Sequence, residues 1–207
     1  MSDVLPVLAV TLAAGKASRF GADKLAACIN GTSVLENGLR LLDRFRFHRR
    51  IIVLDPVRAA GFARPDTQVI VNDAPDAGIG HSIALAATVA QKVQIEAMLV
   101  TLGDMPCVSF GTLAAILSAP RSWHCAIVAT RSGDAPPGPP ALFGRDWFAL
   151  LAQCTGDTGA GAILRNPVNQ AISINASPSE TADIDTPADL LAVRRHAHGQ
   201  DPLRQDP

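Results

Sequence analysis

The sequence predicts an α/β fold with one open, mostly parallel sheet. Short apolar runs bounded by turn residues alternate with stretches of helical periodicity along most of the 207 residues, a pattern typical of repeated β–α–β units. Apolar residues make up 48% of the chain and charged residues 18%, which is enough to bury a substantial core. Polar motifs follow several of the apolar runs, at the carboxyl ends of the predicted strands. Open parallel sheets bind their ligands at these ends. One domain over residues 1–195 is expected, with a disordered tail over 196–207.

Each predicted strand is a short apolar run that ends at turn residues. In chain order, the strands are 4–12, 50–54, 68–71, 97–101, 125–130 and 171–174. Each predicted helix instead has a helical pattern of apolar residues. The helices are 34–45, 79–91, 111–117, 145–152 and 188–195. Pro187 suits the first turn of the last helix, where a missing N–H leaves no carbonyl unpaired.

The segment from Gly133 to Pro140 is expected to be irregular, because four of its eight residues are prolines. Proline fixes φ and has no backbone donor, so neither a strand nor a helix should continue through it. We interpret this segment as a loop or lid close to the functional site.

Charge and cysteine usage exclude several classes of protein. A net charge of −1 argues against a general nucleic-acid-binding protein, whose domain is normally basic. The first apolar run is short and lacks a basic region before it, so neither a signal peptide nor a membrane span is expected. Cys28, Cys107, Cys125 and Cys154 are far apart, which favours reduced, mostly buried thiols over disulfides or a zinc site. A cytoplasmic protein with no membrane partner is the resulting expectation.

The loop after the first strand has the features of a phosphate-binding site. Residues 11–25 read TLAAGKASRFGADKL. Their small side chains let backbone N–H groups approach a phosphate, while Arg19 and Lys24 can neutralise its charge. The spacing of Gly15 and Gly21 fits neither the dinucleotide-binding fingerprint nor the Walker loop, which disfavours an NAD-linked dehydrogenase. A turn with two solvated cations is the alternative interpretation.

Two further motifs supply carboxylates. Asp104 follows the strand 97–101, so its side chain is expected beyond the sheet edge, opposite the phosphate loop. Asp185 precedes the last helix, where Thr186 and the aspartates could equally be ordinary features of a helix start. Mg²⁺ is usually held by one or two carboxylates together with substrate phosphates. We therefore predict a Mg²⁺ site at Asp104 and Asp185, with Mn²⁺ as the alternative metal and Asp183 as the alternative second ligand.

Several short motifs follow one another along the chain. They are LAAG, RFG and KL within residues 12–25, VN at 71–72, Gly78 with Ser82, GDMP at 103–106, PPALF at 139–143, GDTGA at 156–160 and DIDTP at 183–187. In this order they resemble the motifs of the molybdenum cofactor cytidylyltransferases in the MobA-like nucleotidyltransferase superfamily. The resemblance implies a Rossmann-like three-layer α/β/α sandwich of the glycosyltransferase-A type. It also implies transfer of CMP from CTP to the phosphate of the molybdopterin cofactor, which releases pyrophosphate and gives molybdopterin cytosine dinucleotide.

The resemblance also implies a role for each matching residue. Arg19 would bind the β- and γ-phosphates of CTP, Lys24 the α-phosphate, and Asp104 with Asp185 the metal. The nucleotide side would consist of Leu12, Ala13, Ala14, Gly15, Asn72, Gly78, Ser82 and Gly103. The acceptor side would consist of Pro140, Ala141, Leu142 and Asp157. A target molybdoenzyme or its chaperone is a further implied partner.

Three departures from the family pattern concern the substrate. The family serine of the first loop falls on Ala17, Gly161 stands where a basic residue often follows the GDTGA motif, and the proline-rich stretch is unusually dense. A GTP-dependent guanylyltransferase, a sugar-nucleotide pyrophosphorylase and a non-catalytic molybdenum cofactor-binding chaperone stay open as alternatives. The complete set of charged residues favours catalysis over the chaperone. The Ala14 methyl group, where guanine-using relatives tend to have a second glycine, favours CTP.

Overall fold

A seven-stranded sheet forms the centre of the computed structural model, which describes residues 4–15 and 20–199. The strands of this sheet are β1 (Leu5–Leu12), β4 (Phe47–Leu54), β5 (Thr67–Val71), β6 (Ala97–Leu102), β7 (Ile127–Arg131), β8 (Gly138–Gly144) and β9 (Ile172–Asn175). Two short strands, β2 (Cys28–Ile29) and β3 (Thr32–Ser33), pair separately as an antiparallel hairpin.

The sheet has the strand order β5-β4-β1-β6-β8-β7-β9 and is parallel except at β8. β8 is antiparallel to both of its neighbours, β6 and β7. The chain adds β4 and β5 on one side of β1 and then crosses to place β6 on the other side. Ligands of open α/β sheets bind where the strand order reverses in this way. At that point Leu12 of β1 is the register partner of Leu102 of β6.

Helices cover both faces of the sheet. They are α1 (Val34–Asp43), α2 (Pro56–Gly61), α3 (Ile79–Ala90), α4 (Phe110–Ser118), α5 (Phe148–Leu151), α6 (Gly161–Arg165) and α7 (Pro187–Gly199). Successive side chains of β1 point to opposite faces, so Leu8 and Val10 pack with α3, α5 and α6, whereas Val7 and Ala9 pack with α1 and α4. This arrangement confirms the predicted three-layer α/β/α sandwich.

Every predicted strand and helix overlaps an element of the structure. The segments missed by the prediction are β2, β3, β8, α2 and α6. Most of them span six residues or fewer, which is too short for a period of either 2 or 3.6 residues to be recognised. The predicted helix 145–152 is a short 3₁₀ turn, Arg145–Trp147, followed by α5.

The prediction of an irregular segment from Gly133 to Pro140 is wrong at its end, because β8 begins at Gly138. The prolines are tolerated because the regular pairing of β8 with β6 starts only at Ala141. On the other side, the register between β7 and β8 shifts after Ala129. There the Thr130 hydroxyl lies 3.0 Å from the Gly138 carbonyl oxygen and 2.7 Å from that of Pro139. At this bulge the Thr130 hydroxyl therefore takes the place of the backbone N–H donors that regular strand pairing would supply.

Two other expectations differ from the structure. All four thiols are free, but Cys28 and Cys125 are exposed and the other two are only partly buried. Cys28 lies on the small hairpin and Cys125 in the turn before β7, outside the packed layers.

The last helix continues to Gly199, so the first four positions of the expected tail are helical and residues 200–207 lie outside the described residues. Within the described ranges, no helix has the length and apolarity to span a membrane.

Candidate active site

Lys24 lies between two carboxylates near the carboxyl ends of β1 and β6. Its Nζ donates hydrogen bonds to Asp104 Oδ2 at 2.6 Å and to Asp185 Oδ1 at 2.9 Å. Lys24 is only 7% exposed, so both ion pairs are largely shielded from solvent. The fold thereby brings together three charged residues from distant parts of the chain. Arg19, the other predicted cation, lies outside the described residues.

The charges of this cluster depend on one another. Burial by itself would lower the pKa of Lys24, but its hydrogen bonds to Asp104 and Asp185 outweigh burial and raise the pKa of the ammonium. Burial raises the pKa of the Asp183 carboxyl even though much of that residue is exposed, and repulsion from Asp104 and Asp185 adds to the increase. Among the described residues of this cluster, the three carboxylates outnumber the one ammonium, and this excess of negative charge favours the binding of cations.

Main-chain contacts hold Asp104 at the edge of the sheet. The Gly103 N–H donates to the carbonyl oxygen of Leu12 at 2.9 Å, which extends the contact between β1 and β6 by one residue. A Cβ atom on Gly103 would lie 3.0 Å from two neighbouring side-chain carbons, so glycine permits the close approach. The Ile184 N–H donates to the Asp104 carbonyl oxygen at 3.0 Å. This bond ties the segment that carries Asp185 to the end of β6.

The start of α7 positions Asp185. The N–H and the hydroxyl of Thr186 donate to Asp189 Oδ2 at 2.7 and 2.8 Å, and the Asp189 N–H donates back to the Thr186 hydroxyl at 3.3 Å. This reciprocal pair is a capping box with Asp in place of the more usual Glu. Asp189 Oδ2 also accepts the Asp185 N–H at 3.1 Å. The motif around Asp185 is therefore an ordinary helix start, and the same helix start also orients the Asp185 carboxylate towards Lys24.

Glu180 tethers the same segment to α4. Its Oε1 accepts the Ser109 N–H at 3.2 Å and the Thr112 hydroxyl at 2.5 Å, at the start of α4, and its Oε2 accepts the N–H and the hydroxyl of Ser177. Burial opposes ionisation of Glu180, but these hydrogen bonds outweigh it and lower the pKa of the carboxyl to about 2.

We expect Glu180→Gln to reduce the free energy of unfolding at pH 7 by about 1 kcal/mol, a value kept small because the carboxylate is only partly buried and solvent screens its charge. The lowered pKa means that the stabilisation is complete above the usual pKa of 4.5 and is lost as the pH falls from there towards 2. Urea unfolding of both proteins at about pH 7 and pH 4 measures this, and the difference between them should be smaller at pH 4. An equal difference at both pH values contradicts the role given to the ionised carboxylate.

A cavity of about 230 Å³ opens beside Lys24, where β1, β6 and α3 meet. Among the predicted site residues, those that line this first cavity are Leu12, Ala13, Ala14, Gly15, Lys24, Gly78, Ser82, Asp104 and Asp157. The phosphate loop, the start of α3 and the end of β6 therefore share one site. Such a cavity can enclose a nucleotide base or sugar while its charged edge contacts phosphates.

The start of α3 approaches the loop of residues 155–157 closely. Gly78 has a φ of +84°, and a Cβ atom there would lie 2.4 Å from the Gly156 carbonyl carbon and 2.6 Å from Asp157 Oδ1. The Gly80 N–H donates to the Gly156 carbonyl oxygen at 2.9 Å. Gly78 is therefore required both by its backbone conformation and by the space that this contact leaves.

Asn72 lies behind the first cavity and does not line it. It is 1% exposed; its Nδ2 donates to Ser82 Oγ at 2.9 Å and its Oδ1 accepts the Ala74 N–H at 2.9 Å. The structure thus differs from the implied direct contact of Asn72 with the nucleotide, because these partners already hold the amide. Asn72 positions Ser82 and the turn that follows β5.

A second cavity, of about 320 Å³, lies on the other side of Asp157, which lines both cavities. Ala141 and Phe143 of β8 line this second cavity, but Pro140 and Leu142 do not. Leu142 is completely buried in the core on the α4 side of the sheet. Alternate residues of a strand point to opposite faces, so placing Leu142 on the acceptor side is a wrong prediction.

The prediction also missed Arg58 of α2, next to the phosphate loop. Its Nη2 donates to Asp23 Oδ1 at 2.7 Å and its Nη1 to Asp55 Oδ2 at 2.5 Å. Asp55 caps α2, whose first residue is Pro56. The Asp-Pro pair after β4 is a helix-start signal that could have revealed α2, but only the fold shows that Arg58 contacts the residue before Lys24.

Comparison with known proteins agrees with this geometry. The family model of the MobA-like NTP transferase domain matches residues 9–172. Purine catabolism protein PucB of Bacillus subtilis (strain 168) is 28% identical over 203 residues, which cover 91% of this chain and 96% of that protein.

Solved structures share the fold at lower identity. Rv0371C from Mycobacterium tuberculosis H37Rv, in a complex with manganese, has a TM-score of 0.74 at 24% identity, with 91% of this chain and 98% of that chain covered. Molybdopterin-guanine dinucleotide biosynthesis protein A from Archaeoglobus fulgidus has a TM-score of 0.67 at 17% identity, with 92% and 98% covered. Because the family model covers most of the sheet and the first cavity, this chain belongs to the MobA-like NTP transferase domain family and is a nucleotidyltransferase.

Proposed function

We propose that the protein transfers CMP from CTP to the terminal phosphate of the molybdopterin cofactor. The observation that carries this proposal is the position of Lys24, which joins Asp104 and Asp185 at the edge of the first cavity. The second cavity, across Asp157, supplies a separate space for an acceptor. A nucleotide site and an acceptor site that share one wall suit a direct transfer between two bound substrates.

The transfer needs no protein nucleophile. An oxygen of the acceptor phosphate forms a bond to the α-phosphorus of CTP as the bond from that phosphorus to the bridging oxygen breaks, and pyrophosphate leaves. Both substrates are anionic, so catalysis depends on positioning them and neutralising their charge. We assign the α-phosphate to Lys24, where the charge changes during the reaction, and the β- and γ-phosphates to Arg19.

Asp104 and Asp185 have the arrangement that a divalent cation needs. Their oxygens already converge on one positive charge, the Lys24 ammonium, at 2.6 and 2.9 Å, which serves as a stand-in for a metal ion. Carboxylate oxygens together with nucleotide phosphates are the preferred ligands of Mg²⁺ and suit Mn²⁺. When bound, the metal would neutralise phosphate charge during the transfer. The described residues contain no cluster of three or more His, Cys, Asp or Glu ligands, so substrate oxygens would complete its coordination.

We propose CTP as the nucleotide because Ala14 lies in the wall of the first cavity. Ala14 is 3% exposed and lines the cavity of about 230 Å³. Its methyl group narrows the space that the second ring of a purine would need. Ser82, which Asn72 holds in place at 2.9 Å, offers a hydroxyl to the nucleoside. A base of the wrong shape would leave such polar groups unpaired.

We expect competition between CTP and GTP at equal concentration, with molybdopterin and Mg²⁺, to give mainly the cytosine dinucleotide. Ala14→Gly removes one methyl group and should shift the product ratio towards GTP by roughly tenfold. Chromatography of the products measures the ratio. The control is Ala84→Gly on α3, since Ala84 does not line either cavity.

The same assay separates the alternatives. A preference for GTP by the unaltered protein would identify a guanylyltransferase. Pyrophosphate release with a sugar phosphate in place of molybdopterin would identify a sugar-nucleotide pyrophosphorylase. Tight binding of molybdopterin without turnover of any nucleoside triphosphate would favour a cofactor-binding chaperone.

A further inference from the structure

Arg165 occupies the space beside Gly161 at the start of α6. A Cβ atom built on Gly161 would lie 2.6 Å from Arg165 Nη1 and 3.2 Å from its Cζ and Nη2. Both residues belong to α6, four positions apart. Side chains in a helix lean towards its N-terminus, so residue i+4 covers residue i. The guanidinium therefore lies where a side chain at position 161 would begin.

The second cavity combines apolar walls with this one guanidinium. Phe143, Ala141, Ile83 and the prolines at 136, 137 and 139 line it. Asp157, Gly161 and Arg165 also line it, and Arg165 is exposed. Within the part of the chain that the structure describes, Arg165 forms no ion pair with a carboxylate. Its planar set of donors thus stays available to an anionic ligand.

We propose that Arg165, which lines the second cavity and covers Gly161, recognises an anionic group of the acceptor. The acceptor class that fits this cavity has an apolar body and carries an anionic substituent. The chemical class of the acceptor rests on the proposed function, because the cavity is taken as the acceptor side of the nucleotidyl transfer. The anion-binding property of Arg165 itself does not depend on which nucleotide is used.

The absence of a side chain at position 161 is part of this arrangement. A side chain there would compete with the guanidinium for the same space, since the three atoms nearest to the built Cβ all belong to Arg165. Gly161 has no left-handed backbone conformation, so a larger residue is compatible with the backbone once Arg165 is shortened. A basic residue can therefore be moved from position 165 to position 161 by a double substitution.

Binding of 1-naphthyl phosphate and neutral 1-naphthol, followed by fluorescence, tests the charge recognition directly. We expect the unaltered protein to bind the phosphate more tightly than the naphthol. Arg165→Gln should weaken binding of the phosphate by roughly tenfold and leave that of the naphthol unchanged. The double variant Gly161→Arg with Arg165→Gln should restore the preference. Arg121→Ala, an exposed arginine between α4 and β7, is the matched control and should change neither affinity.

A second measurement uses the proposed substrates. With CTP and molybdopterin, Arg165→Gln should raise the KM for molybdopterin by roughly tenfold and leave the KM for CTP unchanged. If the unaltered protein does not use these substrates, the proposed function fails, while the naphthyl phosphate measurement still decides the role of Arg165. Equal binding of the two naphthyl probes by the unaltered protein would overturn the inference, as would an Arg165→Gln variant that keeps the preference for phosphate.

Discussion

Asp104→Asn is expected to lower kcat by roughly 10²- to 10³-fold at saturating CTP and Mg²⁺. The substitution keeps the shape of the side chain but removes its charge. Both the partner of Lys24 at 2.6 Å and the proposed metal ligand are then lost. The hydrogen bond from Ile184 to this position uses the Asp104 carbonyl oxygen, so the main-chain tether between the two carboxylate segments is preserved. Pyrophosphate release with CTP and molybdopterin provides the measurement.

Asp146→Asn is the matched control, because Asp146 follows β8 at the opposite edge of the sheet and pairs with His124. Its turnover should equal that of the unaltered protein, and near-normal turnover of Asp104→Asn would refute the assignment.

The same assay distinguishes Asp185 from Asp183 as the second carboxylate of the site. Because Asp185 contacts Lys24 directly, Asp185→Ala should be the more damaging change. An inactive Asp183→Ala beside an active Asp185→Ala would identify Asp183 as the second carboxylate of the site.

Lys24→Met is expected to lower kcat by roughly 10²-fold or more while changing the KM for CTP much less. Methionine keeps most of the volume of a side chain that is 7% exposed but removes the ammonium assigned to the α-phosphate. Arg19→Ala should do the reverse and mainly raise the KM for CTP, because contacts with the β- and γ-phosphates already exist before the reaction. Steady-state kinetics with varied CTP measures both parameters. Similar kinetic profiles for the two variants would contradict this division of roles.

A thermal measurement adds an independent test of Lys24. Lys24→Met removes the ammonium that joins Asp104 and Asp185, and the loss of one partner from a partly buried ion pair destabilises the fold. Added Mg²⁺ or Mn²⁺ should therefore raise the Tm of Lys24→Met more than that of the unaltered protein. Lys92→Met is the control and should respond like the unaltered protein, because Lys92 is an exposed lysine in the turn after α3. No difference between the responses would argue against a cation site at this carboxylate pair.

The second cavity links these predictions to substrate choice. Reaction chemistry depends on the charged cluster beside the first cavity, whereas the acceptor has to fit the apolar space between β8, α3 and α6. Changes at Lys24 or Asp104 should therefore affect every acceptor alike. Changes at Arg165 should affect only acceptors whose anionic group contacts Arg165. This difference separates the residues of the reaction centre from the residue that recognises the acceptor.

The sequence alone was sufficient for the fold class and for most strands and helices. The reason is local: apolar runs of strand length predict strands, and the ends of parallel strands meet at one edge of a sheet. For this reason Lys24, which follows β1, and Asp104, which follows β6, could be expected close together. Asp185 was less certain from sequence, because its motif equally suits the capping box that Thr186 and Asp189 form.

Only the tertiary structure decided which way the remaining side chains point and what they contact. Antiparallel pairing with β6 and β7 places β8 inside the sheet, and that pairing turns Ala141 towards the second cavity and Leu142 away from it. Asn72 contacts Ser82 ten residues later, and Arg165 covers Gly161 within a helix of five residues. These outcomes depend on strand register and on packing between elements, and neither is encoded in the short runs from which the individual elements were predicted.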